Sequence, residues 1–129
     1  MGQMKCFLID DDVDDQELFL MALEKVDQKI ECTIANDGIH ALEILKKNES
    51  YVPDYIFLDV NMPKMNGLQT LAEIKKISAL DNTDVIMFST SSEKSVMQTS
   101  KELGASKFQV KPTGLNALIQ TLSNILQPL

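Results

Sequence analysis

Five short apolar runs, separated by stretches with a helical repeat, constrain this chain more than any other feature. The runs cover 5–9, 30–35, 54–58, 84–88 and 108–110, at intervals of roughly 25 residues. Continuous apolar runs of this length predict strands buried on both faces. Between them, Leu18, Phe19, Ala22, Leu23 and Val26 recur at helical spacing. Ile39, Leu42 and Leu45 do the same, and so do Leu68, Leu71 and Ile74. The fourth stretch, 93–103, is weak: Val96, Met97 and Leu103 stand among Ser, Thr, Lys and Gln. The fifth is a wide stripe of Leu115, Leu118, Ile119, Leu122, Ile125 and Leu126. Strand and helix alternate five times. That pattern predicts a doubly wound α/β fold, a parallel sheet with right-handed crossovers and helices on both faces. A chain of 129 residues holds one such domain, 1–129, and Gln127-Pro128-Leu129 reads as a helix stop.

Open sheets of this kind bind ligands outside the carboxyl ends of their strands. The residues that follow each strand therefore carry the functional reading. Asp10-Asp11-Asp12-Val13-Asp14-Asp15 follows the first. Like-charged carboxylates at 4 Å repel by about 4 kcal/mol at an effective dielectric of 20. Asp12, Asp14 and Asp15 are offset at a helix start, where free N–H groups and the dipole favour anions. Asp10 and Asp11 lie at the strand end itself, where a bound cation is the better explanation. Asp59 ends the third apolar run and should lie at the same edge. Three carboxylates there suit a hard divalent cation, Mg²⁺ or Mn²⁺. Ser89 ends the fourth strand and can donate to a phosphoryl oxygen, while Ser91 and Ser92 read as helix caps. Lys111 ends the fifth. It is either a salt-bridge partner or an anion holder, with Pro112 fixing its approach through a cis bond. Together these are the parts for phosphoryl transfer: a carboxylate nucleophile, a divalent cation and donors for the transferred oxygens.

Other classes fit less well. Nineteen acidic residues against 12 basic leave a net charge of -7, with no basic surplus for nucleic acid or an anionic membrane. No apolar run approaches the roughly 18 residues of a membrane span, and the start of the chain lacks the build of a signal peptide. The acidic segment mimics a calcium loop at Asp10, Asp12 and Asp14. It fails at Asp15, where Gly belongs, and at Met21, where Glu belongs. It also repels the phosphates of a flavin or dinucleotide. An aspartyl-phosphate hydrolase needs a second carboxylate two residues after its nucleophile, and here that position is Asn61. Cys6 and Cys32 read as small buried apolar residues of a reducing compartment, able to pair only if their strands are neighbours. His40 reads as a partly exposed helix residue.

Leu8-Ile9-Asp10-Asp11-Asp12, Leu58 through Gly67, Ser89, and Gly104-Ala105 through Lys111-Pro112 occur in order. With that set the chain resembles the receiver domains of two-component response regulators, the CheY-like group, over nearly its whole length. The resemblance implies a flavodoxin-like five-stranded sheet in order 2-1-3-4-5 with five helices, and a single receiver domain with no output domain. It implies that Asp59 is the phosphoacceptor for a sensor histidine kinase or histidine phosphotransfer protein. It implies Mg²⁺ (or Mn²⁺) on Asp11, Asp59 and the Asn61 backbone carbonyl, with Asp10 acting through a water. Lys111 pairs with Asp59 and then with the phosphoryl group. Ser89 and the aromatic Phe108 are the switch residues. The chain is then no enzyme beyond its own phosphorylation and dephosphorylation. It is cytoplasmic, a monomer or weak homodimer, and signals by binding a downstream protein. The alternative is a receiver fold kept as a binding module without phosphorylation. Ser89, Phe108 and Thr113 stand where the family often has Thr, Tyr and a further aromatic, so any contact through a phenolic hydroxyl is lost.

Overall fold

Successive side chains on a strand point to opposite faces, so each apolar run feeds two cores at once. In a computed structural model, which describes residues 3–126, that division is complete. The elements are β1 (Lys5–Ile9), α1 (Val13–Val26), β2 (Glu31–Ala35), α2 (Gly38–Lys47), β3 (Tyr55–Asp59) and α3 (Gly67–Ile74). A short 3-10 turn (Ser78–Leu80) precedes β4 (Asp84–Ser89), α4 (Lys94–Glu102), β5 (Lys107–Val110) and α5 (Leu115–Ile125). All strand pairs are parallel, in the order β2-β1-β3-β4-β5. This is the expected CheY-like fold. The 3-10 turn is an addition that no periodicity announced. The helix stop expected at Gln127-Pro128-Leu129 lies outside the described residues.

Phe7, Ile9, Ile56, Leu58, Val85 and Met87 face α2 and α3 in one core. Cys6, Leu8, Phe57, Ile86 and Phe88 face α1 and α5 in the other, where Phe19, Leu118 and Leu122 close over them. Burying each large apolar side chain is worth about 1.5–3 kcal/mol, and β1, β3 and β4 are buried through nearly their whole length. β2 and β5 are sheet edges and are only partly covered, which corrects the expectation that every run is buried on both faces. Cys6 and Cys32 are partners in register across β1 and β2, yet both thiols are free. Burial pushes each up to about 12. α4 buries only Ser100, in keeping with its weak stripe. No helix among the described residues is long and apolar enough to cross a membrane.

Candidate functional site

The same alternation that builds the cores aims the polar residues. Cys6 and Leu8 face α1 and α5, so Asp10, two residues further, leaves β1 on that side. Phe57 sets the same side for Asp59 at the end of β3. The strand ends are tied together by backbone bonds. Asp10 N–H donates to the Ala35 carbonyl at 3.1 Å, Val60 to Phe88 at 2.9 Å, and Lys111 to Ser89 at 2.7 Å. Asp10, Asp59 and Lys111, which come from three strands, therefore meet at one edge.

Lys111 Nζ lies 3.1 Å from Asp15 Oδ2, 3.4 Å from Asp10 Oδ2 and 3.5 Å from Asp59 Oδ1. Carboxylate oxygens of Asp10, Asp11 and Asp59 all fall within 4.8 Å of one another. Asp10 and Asp59 are buried and Asp11 is exposed, so the cluster opens to solvent on one side. Burial pushes Asp59 up to about 6 against the pull of Lys111, and the neighbouring Asp10 adds to the rise. Asp10 is raised as well, chiefly by burial. Burial depresses Lys111, but Asp59 and Asp10 outweigh it and the net displacement is upward. Four carboxylates around one ammonium leave an excess of negative charge, and such a set of hard oxygen donors fits a divalent cation.

The loops fix these groups. Asp59 Oδ1 accepts from Asn61 N–H at 3.1 Å, and Asp10 Oδ1 accepts from Asp12 N–H at 2.9 Å. Gln16 Nε2 holds the Asp10 carbonyl at 2.7 Å. The Asn61 side chain is turned to Thr90 Oγ1 at 3.1 Å. Gly67 closes the β3–α3 loop by donating to the Val60 carbonyl at 2.9 Å. A Cβ at Gly67 would lie 2.3 Å from the Asp59 carbonyl oxygen, so only glycine lets this loop fold back against the strand. Asn66 and Gln69 then start α3 with reciprocal capping bonds.

Not every expected residue joins the cluster. Ser89 is buried at the end of β4, but its hydroxyl accepts from Ser91 N–H at 3.2 Å. Among the described residues no hydrogen bond links that hydroxyl to Asp59 or Lys111. Phe108 is half-buried and packs on the opposite core, against the α2–α3 side of the sheet. Ser91 and Ser92 do not cap α4: Glu93 precedes it and no side chain accepts there, while Ser91 N–H is engaged by the Ser89 hydroxyl. No cis peptide occurs among the described residues, so the cis bond expected before Pro112 is absent. Asp12 caps α1 as expected, by accepting from Asp15 N–H at 3.1 Å. Asp15 does more than favour the helix dipole, since its carboxylate makes the shortest of the three ion pairs to Lys111 Nζ. Nothing in the local sequence marks that role, because it depends on the approach of β5. His40 is half-buried on α2, where its Nδ1 accepts from Asn36 N–H at 3.2 Å.

Residues 6–123 match the family model described as the response regulator receiver domain. The chain is 39% identical over 123 residues to a transcriptional regulatory protein CpxR homolog of Haemophilus influenzae. That match takes in 95% of this chain and 50% of the relative, so the chain spans about half that protein's length. Two solved structures share the whole fold. The phosphorylated cyanobacterial phytochrome response regulator RcpA is 30% identical, with a TM-score of 0.87, over 96% of this chain and 91% of that one. The Mn²⁺-bound form of response regulator Rcp1 is 28% identical, with a TM-score of 0.83, over 95% and 91%.

Proposed function

The chain belongs to the response regulator receiver domain family, and from that premise we propose that it accepts a phosphoryl group on Asp59. The donor is a phosphohistidine of a sensor histidine kinase or a histidine phosphotransfer protein. The observation that carries the reading is the convergence of Asp10, Asp11 and Asp59 within 4.8 Å, with Lys111 Nζ 3.5 Å from Asp59. Solved relatives that are phosphorylated or hold Mn²⁺ support it.

In the reaction a carboxylate oxygen of Asp59 attacks phosphorus, and the bond from phosphorus to the donor imidazole nitrogen breaks. The imidazole leaves with the electron pair. Asp59 must be ionised to attack, and the Asn61 N–H bond keeps one of its oxygens oriented. Asp11, Asp59 and the Asn61 carbonyl would hold Mg²⁺ or Mn²⁺, with Asp10 acting through a water, and the bound ion would supply positive charge for the transferred oxygens. Lys111 supplies a second, fixed positive charge. The acyl phosphate adds charge and acceptor oxygens at the strand edge. Ser89 then leaves Ser91 N–H to donate to a phosphoryl oxygen, and Phe108 turns inward as the following loop moves. The altered α4–β5 face binds a downstream protein. Moving such an equilibrium from 1:99 to 99:1 takes about 5.5 kcal/mol of differential interaction. Charge-assisted hydrogen bonds from Ser89 and Lys111 contribute about 1.5–3 kcal/mol each.

The test is incubation with acetyl phosphate and Mg²⁺, read by intact mass on wild type and Asp59→Asn. One phosphoryl adduct on wild type alone, lost when EDTA is present, is the expected result. No adduct with any donor or divalent metal overturns the proposal and leaves the binding-module alternative.

A further inference from the structure

Asp15 is the third residue of α1, counted from its N-cap Asp12. An acidic side chain at that position ordinarily folds back to the backbone N–H of the cap residue. Here that N–H is already taken, because Asp12 N–H donates to Asp10 Oδ1 at 2.9 Å. Asp12 Oδ1 in turn satisfies the Asp15 backbone N–H at 3.1 Å. The Asp15 carboxylate is thus released from capping, and it reaches across to Lys111 Nζ at 3.1 Å.

Lys111 gives hydrogen bonds to Asp15 and Asp10, whereas Asp59 Oδ1 is held only at ion-pair distance, 3.5 Å. Asp15 and Lys111 also line a cavity of about 40 Å³ floored by Leu8, Phe19 and Phe88. A void of that size has room for about one water, so the ammonium can shift without displacing packed side chains. Asp15 is half-exposed, at 46%, and can release its partner into solvent at little cost. We infer that Asp15 is a positioning residue: it holds the Lys111 ammonium off Asp59 in the unmodified protein and competes for it with the incoming phosphoryl group. The phosphoryl group must win the ammonium from Asp15, so the protein is biased toward the unmodified state.

The inference rests on the phosphoryl-acceptor function proposed above. Its test is the rate of phosphorylation by acetyl phosphate at saturating Mg²⁺, read by intact mass. The variants are Asp15→Asn, Asp15→Glu, Lys111→Met and the Asp15→Asn, Lys111→Met double. Asp15→Asn should react about threefold to tenfold faster, the range of a partly exposed charge-assisted bond. Asp15→Glu should stay near wild type. Adding Asp15→Asn to Lys111→Met should change nothing further. In the metal-free protein, the Lys111 side-chain NMR resonance should move in Asp15→Asn and stay in place in Asp14→Asn, which removes the same charge one residue away. An Asp15→Asn rate at or below wild type overturns the inference. So does an acceleration undiminished in the Lys111→Met background, which marks long-range charge alone. If wild type takes a phosphoryl group and Asp15→Asn matches it, only this inference falls. If wild type takes none, the proposed function falls and the inference with it.

Discussion

Replacing the buried Asp59 by asparagine should stabilise the metal-free protein, although it removes an ion-pair partner of Lys111. Burial disfavours the ionised form of Asp59 and Lys111 offsets this only in part, so the carboxyl rises from 3.8 to about 6. That displacement corresponds to about 3 kcal/mol of penalty on the charged form. Solvent at the open side of the cluster screens part of it, which leaves about 1–2 kcal/mol. Asparagine keeps the shape and escapes the penalty, while Lys111 retains Asp10 and Asp15. The folded carboxyl binds its proton more tightly than the unfolded one. Stability from this group is therefore full below about 4 and is lost as pH rises to about 6. The advantage of Asp59→Asn should accordingly be absent near pH 4 and complete above pH 7. Urea unfolding followed by far-UV circular dichroism across that range, with EDTA present, measures it, and Tm should rise by about 5 °C at pH 7.5. Saturating Mg²⁺ should narrow the gap, because wild type gains more from binding. A destabilised Asp59→Asn, or a gain independent of pH, would refute the reasoning.

Other perturbations test separate parts of the site. Gly67→Ala drives a Cβ into the Asp59 carbonyl oxygen and should cost about 1–3 kcal/mol in urea unfolding, with weaker Mg²⁺ binding. Lys111→Met removes the ammonium that faces three carboxylates. It should lower the phosphorylation rate at least about tenfold and destabilise the protein more at pH 7.5 than at pH 4.5. Mg²⁺ should raise Tm in wild type in proportion to the logarithm of its concentration, and Asp11→Asn should weaken that response. Cys6 and Cys32, with thiols at about 12, should resist iodoacetamide at pH 8 in the native state and react once urea unfolds the chain.

The fold was readable because its signals are local. Continuous apolar runs and 3.6-residue stripes each report a short segment, and β1, α1, β3 and α5 lie where those patterns put them. Strand order was a different matter. It depends on which crossovers pair in space, and only the family resemblance supplied it. Asp10, Asp11, Asp59 and Lys111 were visible because each ends a strand, and parallel strands deliver their ends to one edge. Asp15 was hidden by its neighbours: an aspartate in a first helical turn already has a sufficient local explanation, and its contact to Lys111 spans 96 residues of sequence. The capping expected of Ser91 and Ser92 did not appear, since α4 begins only after Glu93 and Ser91 N–H is tied to the buried Ser89 hydroxyl. The half-covered β2 and β5 show the limit of reading burial from apolarity alone, because edge position is a property of the sheet.

The central claim is that Asp59 itself carries the phosphoryl group. Borohydride reduction of the acetyl phosphate-treated protein, followed by peptide mass mapping, tests it most directly. An acyl phosphate at position 59 is reduced to homoserine, so the account predicts homoserine in place of Asp59 and aspartate at positions 10, 11 and 15. Homoserine at another aspartate, or none anywhere in a protein that gained a phosphoryl adduct, would contradict it.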